Sequence, residues 1–219
     1  MKLYFTGMTK LKKTSLILSI LLMIALVIDL FLGKELMMTF YAIISIFIVN
    51  VFHPFFKKIF RTDLSFSITL ADMLFAVFGT YIGNRFDLYH TFFAYDIMLH
   101  FISGILISLT LYEVFFPSSY RNNIPLVARV SLSMIIGLAG AGFWELCEYF
   151  LDIFTGLDVQ RNLVEDFELI GRSWQNSGIK DSMNDMFNGT LGSIIAGAVI
   201  YFRERRKMKM SEDHLPAGK

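Results

Sequence analysis

Asp96 and His100 stand four residues apart in one apolar stretch of the 219-residue chain. Glu145, Glu148 and Asp152 follow at i, i+3 and i+7 in a second stretch, and Asp181, Asp185 and Asn188 at i, i+4 and i+7 in a third. On an α-helix such offsets bring each set onto one face. Ionisable groups are costly in hydrocarbon, so they turn towards a bundle interior or a wet cavity and mark function. One imidazole among several carboxylates suits a divalent cation. Mg²⁺, Mn²⁺ and Ca²⁺ favour oxygen-rich shells, and a His with two or three carboxylates also holds Zn²⁺ or Fe²⁺.

The expected metal ligands are Asp96, His100 and Asp185, with Mg²⁺, Mn²⁺ or Zn²⁺ as the cofactor. Glu145 and Glu148 are the expected catalytic residues. Carboxylates at such close quarters cannot all ionise without metal, and a raised pKa sets an acid beside a base. Asn188, Asp181, Asp152 and Ser103 are expected to contact substrate or support the other groups; Asp152 and Asp181 also read as solvated helix ends. Ser103 shares a face with Asp96 and His100, so a Ser-His-Asp arrangement is geometrically open. With all three on one helix the relay is awkward. Cys147, the single cysteine, points off the polar face and excludes both an internal disulfide and a multi-thiolate metal site.

The elements that must position these groups are membrane helices. The chain is 55% hydrophobic and 16% aromatic, with a mean hydropathy of +0.56, which excludes an ordinary soluble domain. Apolar stretches at about 15–32, 36–52, 64–82, 93–116, 127–154 and 182–202 reach or approach the roughly 20 residues that a spanning helix needs. The expected fold is all-α: a polytopic six-helix membrane bundle forming one integral membrane domain over 1–219. The first stretch follows basic residues as a signal peptide does. Its apolar run is too long for that and no small-x-small site follows, so an uncleaved helix is expected.

Lys and Arg set the orientation. Of 20 such residues, Lys2, Lys10, Lys12, Lys13, Lys57, Lys58, Arg61, Arg121, Arg129, Arg203, Arg205, Arg206, Lys207, Lys209 and Lys219 fall on one side. Lys34, Arg85, Arg161, Arg172 and Lys180 fall on the other. Both termini are therefore expected in the cytoplasm. The basic tail, 203–219, is expected to rest on anionic headgroups. Membrane lipids are the expected partners; a net charge of +1 gives no reason to invoke nucleic acid.

Counted inward at 1.5 Å per residue, His100, Glu145 and Asn188 come to roughly 11, 13 and 9 Å below the outer helix ends. Three helices thus bring polar groups to a similar depth. Small residues (Gly137, Gly140, Ala141 and Gly142; Gly189, Gly192, Ser193, Ala196 and Gly197) predict close approach of the last two helices, with Glu145 within reach of Asn188. Asp29 is expected at an interface, and His53-Pro54 to end the second helix. His90, in an outer loop, is close enough in principle to serve as an accessory ligand, and Asp72 is open between joining the cluster and a local role. In the long outer loop, 155–181, the Leu163–Ile170 stretch can form a short interfacial helix beside Trp174 or serve as a floppy connection.

Three blocks in order, Tyr95-Asp96-Ile97-Met98-Leu99-His100-Phe101-Ile102-Ser103-Gly104, Trp144-Glu145-Leu146-Cys147-Glu148, and Asp181-Ser182-Met183-Asn184-Asp185-Met186-Phe187-Asn188-Gly189, resemble the YjdF-like family of bacterial inner-membrane proteins. The first and third blocks resemble, more loosely, the VanZ-like membrane proteins associated with the cell envelope. This chain lacks the basic residue that often follows the Asp there. The resemblance implies the fold and a shared polar site.

With the resemblance, the sequence reads as a six-helix, multi-pass protein of the bacterial plasma (inner) membrane with an outward-facing acidic and His site. The preferred function is a metal-assisted hydrolase or transferase acting on a lipid or lipid-linked envelope molecule. The alternatives are a transporter or ion-binding permease, and a non-catalytic envelope or assembly factor. Apolar inner halves of the fourth and sixth helices count against a through path.

Overall fold

Hydrocarbon offers no partner for backbone N–H and C=O groups, so long apolar runs cross it as helices. Among the described residues, the computed structural model has six helices long and apolar enough to do so. They are α1 (Lys2–Phe31), α2 (Leu36–Phe60), α3 (Phe66–Arg85), α4 (Tyr95–Phe115), α5 (Leu126–Thr155) and α6 (Ser177–Asp213). The structure describes residues 2–34, 36–92, 94–117, 121–156, 159–160, 167–170 and 173–213, with backbone alone at 2–9, 36–37, 122, 167–170, 173–177 and 211–213.

The six spans and the all-α class match expectation, but several ends move. Helices α1 and α6 run well past their apolar cores, because Lys, Arg and Glu are good helix formers and helicity need not stop where hydrophobicity does. Helix α2 continues through His53 and Pro54 to Phe60, which corrects the expected stop there. Proline removes one backbone donor, and Lys57 and Lys58 in the last turn favour continuation through the helix dipole.

The connection after α5 holds an antiparallel hairpin, β1 (Phe167–Ile170) with β2 (Ser173–Asn176), in which Leu169 pairs with Trp174. Residues 167–170 are therefore strand, not an interfacial helix; 163–166 lie outside the described residues. Apolar and aromatic residues on either side of Gly171-Arg172 carry a hairpin signal that the helical reading overlooked.

Internal contacts divide the chain into two compact units, one comprising Met1–Leu99 with Glu113–Pro117 and the other His100–Tyr112 with Ser118–Lys219. The core of the first includes Leu22, Leu26, Val49, Met73, Val77 and Tyr81. Within it α3 takes a π-helical turn at Val77–Ile82. Two tyrosine hydroxyls bond carbonyls of that turn, Tyr89 to Gly79 O at 2.6 Å and Tyr95 to Phe78 O at 2.8 Å. Such side-chain partners hold an irregular turn in place.

The same unit corrects the reading of Asp29. It is buried at 1% exposure, accepts the Tyr81 hydroxyl at 2.5 Å and pairs with Arg85 Nε at 2.8 Å. An isolated carboxylate at that depth would be expensive, and the guanidinium and phenol make its ionised form tenable. Arg85, assigned by the charge count to a loop, is the last residue of the α3 span.

The second unit contains α5, α6 and most of α4. Its helices meet at glycines. A Cβ at Gly104 of α4 would overlap the Gly189 carbonyl of α6, and one at Gly192 would overlap the Phe101 carbonyl. Small residues let backbones touch where lipid supplies no hydrophobic drive. The expected α5–α6 approach is present at Gly137 and Ala141, which face Ser193 and Gly189. The α4–α6 approach is as close.

Candidate functional site: a buried His and carboxylate group

Helix α5 buries Ser133, Gly137, Ala141, Glu145 and Glu148 at spacings of three and four, a single stripe. Its other side exposes Phe143, Trp144, Leu146 and Phe154, as a lipid-facing surface should. The two glutamates thus belong to the helix-packing face.

Register then sets who faces whom. Helices α5 and α6 are antiparallel, and Ala141 meets Gly189. One turn onward on α5 is Glu145; one turn back on α6 is Asp185. A further turn brings Glu148 level with Ser182. Helices α4 and α5 are also antiparallel, since Gly137 meets Ser108 and Gly140 meets Ile107. Two turns along each from the Ser108–Gly137 contact lie His100 and Glu145. His100, Glu145 and Asp185 therefore share one level, and all three are buried.

At that level His100 Nε2 lies 3.5 Å from Asp185 Oδ2, with side chains 8% and 4% exposed. Asp96 is half-buried one turn before His100 on α4, and one ligand atom from each of Asp96, His100 and Asp185 lies within 4.8 Å of the others. The three expected ligands come together. Their donors, one ring nitrogen and two carboxylates, fit a hard or borderline divalent cation. With bonds of about 2.0–2.2 Å, neighbouring ligands around a tetrahedral ion stand about 3.4 Å apart, close to the His100–Asp185 separation.

Glu148 accepts a 2.6 Å hydrogen bond from Trp144 Nε1, which fixes one of its oxygens. Gln160 reaches both sides of the α5–α6 seam, donating through Nε2 to Glu145 O at 3.3 Å and Ser182 Oγ at 3.4 Å. Neither Trp144 nor Gln160 was expected to contribute. The i, i+4 spacing of Trp144 and Glu148 was visible in the sequence, whereas nothing there pointed to Gln160.

Several of the remaining expected residues bond to nearby backbone. Ser103 donates to the His100 carbonyl at 2.7 Å, a bond to backbone and not to the imidazole. Asp152 accepts the N–H groups of Val159 and Gln160 at 2.7 and 3.0 Å, closing the turn that follows Gly156 in its left-handed C-cap conformation. Asn188 donates to Asn184 O within its own helix at 2.7 Å; Asp185, not Asn188, is the α6 residue level with Glu145. Asp181 is half-buried in the first turns of α6. His90 pairs with Asp87 at 2.6 Å, both exposed.

No curated protein and no solved structure matches the chain. A model of one uncharacterised membrane-protein family does match, over 14–206, a range that takes in the six apolar spans and all the polar residues above. It supports neither the YjdF-like nor the VanZ-like resemblance specifically. The chain is thus a multi-pass membrane protein with a buried acidic and His group, and it belongs to the family described as Predicted membrane protein (DUF2238).

Proposed function

We propose that Asp96, His100 and Asp185 hold a divalent cation and that the protein is a hydrolase or transferase acting on a lipid or lipid-linked envelope molecule. The observation that carries this reading is the buried convergence of one imidazole and two carboxylates, with His100 and Asp185 3.5 Å apart. A bound cation supplies Lewis acidity towards a phosphoryl or ester oxygen and lowers the pKa of a water. Asp96, His100 and Asp185 orient that centre. Glu145, level with Asp185 on the facing helix, takes the proton from the attacking water. Glu148, steadied by the Trp144 indole, returns a proton to the leaving oxygen. The packed seam around Gly104 and Gly189 keeps bulk water away.

The Lys/Arg distribution supports placing both termini in the cytoplasm of a bacterial inner membrane, with the site in the outer half. The three blocks that resemble the YjdF-like family are those that supply the site. Elemental analysis of the purified protein tests the reading. Wild type should carry a stoichiometric divalent metal, and His100→Ala and Asp185→Asn should lose it while still running as monodisperse species in detergent. Chelation should lower the melting temperature of wild type only, because a ligand bound solely to the folded state stabilises it by mass action. Protein purified without metal, and with melting indifferent to both chelator and added Mg²⁺, Mn²⁺ or Zn²⁺, would leave helix assembly as the role of these groups.

A further inference from the structure

Far along the second unit from His100 lies another polar group, built from Tyr112 of α4, Arg121, Arg129 of α5, and Arg203, Glu204 and Lys207 of α6. From Asp185 to Glu204 the helix advances about 28 Å at 1.5 Å per residue, nearly the thickness of a bilayer's hydrocarbon. The two groups thus sit at opposite membrane faces.

Among the described residues, charge is out of balance here. Glu204, 6% exposed, faces Lys207 at 3.0 Å, Arg121 and Arg203 at 3.5 Å, and Arg129 at 3.7 Å. Arg129 is the most enclosed of the four at 5%; it donates to the Tyr112 hydroxyl at 2.8 Å and to Ile124 O at 3.1 Å. One carboxylate and Arg129 neutralise each other. Arg203 and Lys207 then remain as two positive charges beside Arg121, at 36 and 57% exposure against 18%. Arg121 and Arg203 are held over the Tyr112 ring, at 5.1 and 5.8 Å, an arrangement that orients guanidinium groups without neutralising them. The Nε of Arg203 is buried, 3.5 Å from Glu204 Oε1, and makes no hydrogen bond among the described residues. A structural network would balance its charges; this one presents an ordered surplus at headgroup level.

We propose that this cluster is a binding site for the phosphate of an anionic phospholipid. Arg121, Arg203 and Lys207 would donate to the phosphate oxygens, and Glu204 and Tyr112 would hold those donors in place. Basic pockets between membrane helices suit such headgroups, each cation near the surface contributing about a factor of five in affinity. The proposal is independent of the metal site.

The test is thermal unfolding of the full chain in a neutral maltoside detergent, titrated with phosphatidylglycerol, phosphatidylcholine or inorganic phosphate. Phosphatidylglycerol should raise the melting temperature saturably, and the other two should not. Arg203→Gln with Lys207→Gln removes two outer cations and leaves the Arg129–Glu204–Tyr112 core, so the apparent affinity should fall about 30-fold. The charge-retaining pair Arg203→Lys with Lys207→Arg should stay within a few-fold of wild type and shows that the region tolerates change. Equal shifts with phosphatidylcholine, or an unaltered response in the glutamine pair, would overturn the site. An equal shift with inorganic phosphate would assign it to free phosphate and overturn the lipid.

Discussion

Replacing Gly104 by Ala adds one methyl group where α4 crosses α6 and tests how tightly the seam sets the site. The new Cβ would stand 2.8 Å from the Gly189 carbonyl carbon and 3.0 Å from its Cα. Non-bonded carbons prefer about 3.5–4.0 Å, so the helices must part by about 1 Å. The Gly189 carbonyl oxygen is nearer still, and all three obstructing atoms are backbone, so no side-chain rotation relieves the contact. His100 lies one turn before Gly104 and Asp185 one turn before Gly189, so the parting carries to the next level. The His100–Asp185 separation, 3.5 Å in the structure, should grow by a similar amount, towards about 4.5 Å, too wide for adjacent ligands of one small cation. Overpacking of this kind costs about 1–3 kcal/mol, partly offset by Ala's helix propensity, about 1 kcal/mol above Gly. Gly142→Ala is the control, because its Cβ would meet only the flexible Met186 tip at 3.6 Å. Melting in detergent together with metal content reads both effects. Gly104→Ala should melt below wild type and lose metal, whereas Gly142→Ala should match or exceed wild type. A Gly104→Ala protein that melted at least as high as wild type and kept its metal would refute the seam argument.

Asp29→Ala should destabilise the protein by about 3–5 kcal/mol, since it strands a buried guanidinium; Asp29→Leu combined with Arg85→Met should recover much of that, and a single variant melting like wild type would show the pair to be inert. Glu145→Gln and Asp185→Asn should abolish the in vivo phenotype while both variants still insert and unfold cooperatively, Asp185→Asn near the melting temperature of chelated wild type. Tolerance of both amides would instead fit hydrogen-bonded assembly, in which such contacts contribute about 0.6 kcal/mol each. Reporter fusions at Lys34 and Asp87 should read external and one at Lys58 cytoplasmic; the reverse pattern would invert the proposed orientation.

Which parts of the molecule are helical was legible in the sequence because hydrocarbon imposes it: an apolar run of spanning length has no other way to satisfy its backbone. Helical spacing likewise singled out Asp96, His100, Glu145, Glu148 and Asp185, since intramembrane carboxylates and imidazoles are rare unless partnered. Spacing alone could not say which residues on different helices share a level. That depends on crossing points set by Gly104 against Gly189 and by Ala141 against Gly189, contacts between residues 48 or more positions apart in sequence. For the same reason Asp185 displaced Asn188 opposite Glu145. Asp152 and Ser103 turned to nearby backbone, because such short polar side chains bond whichever carbonyl or amide the local turn presents. Asp29 looked interfacial until tertiary packing brought Tyr81 and Arg85 to it across more than 50 residues. Charge counting gave Arg129 only a membrane side, and Glu204 fell within the basic tail, 203–219; only the packed helices reveal them as buried partners.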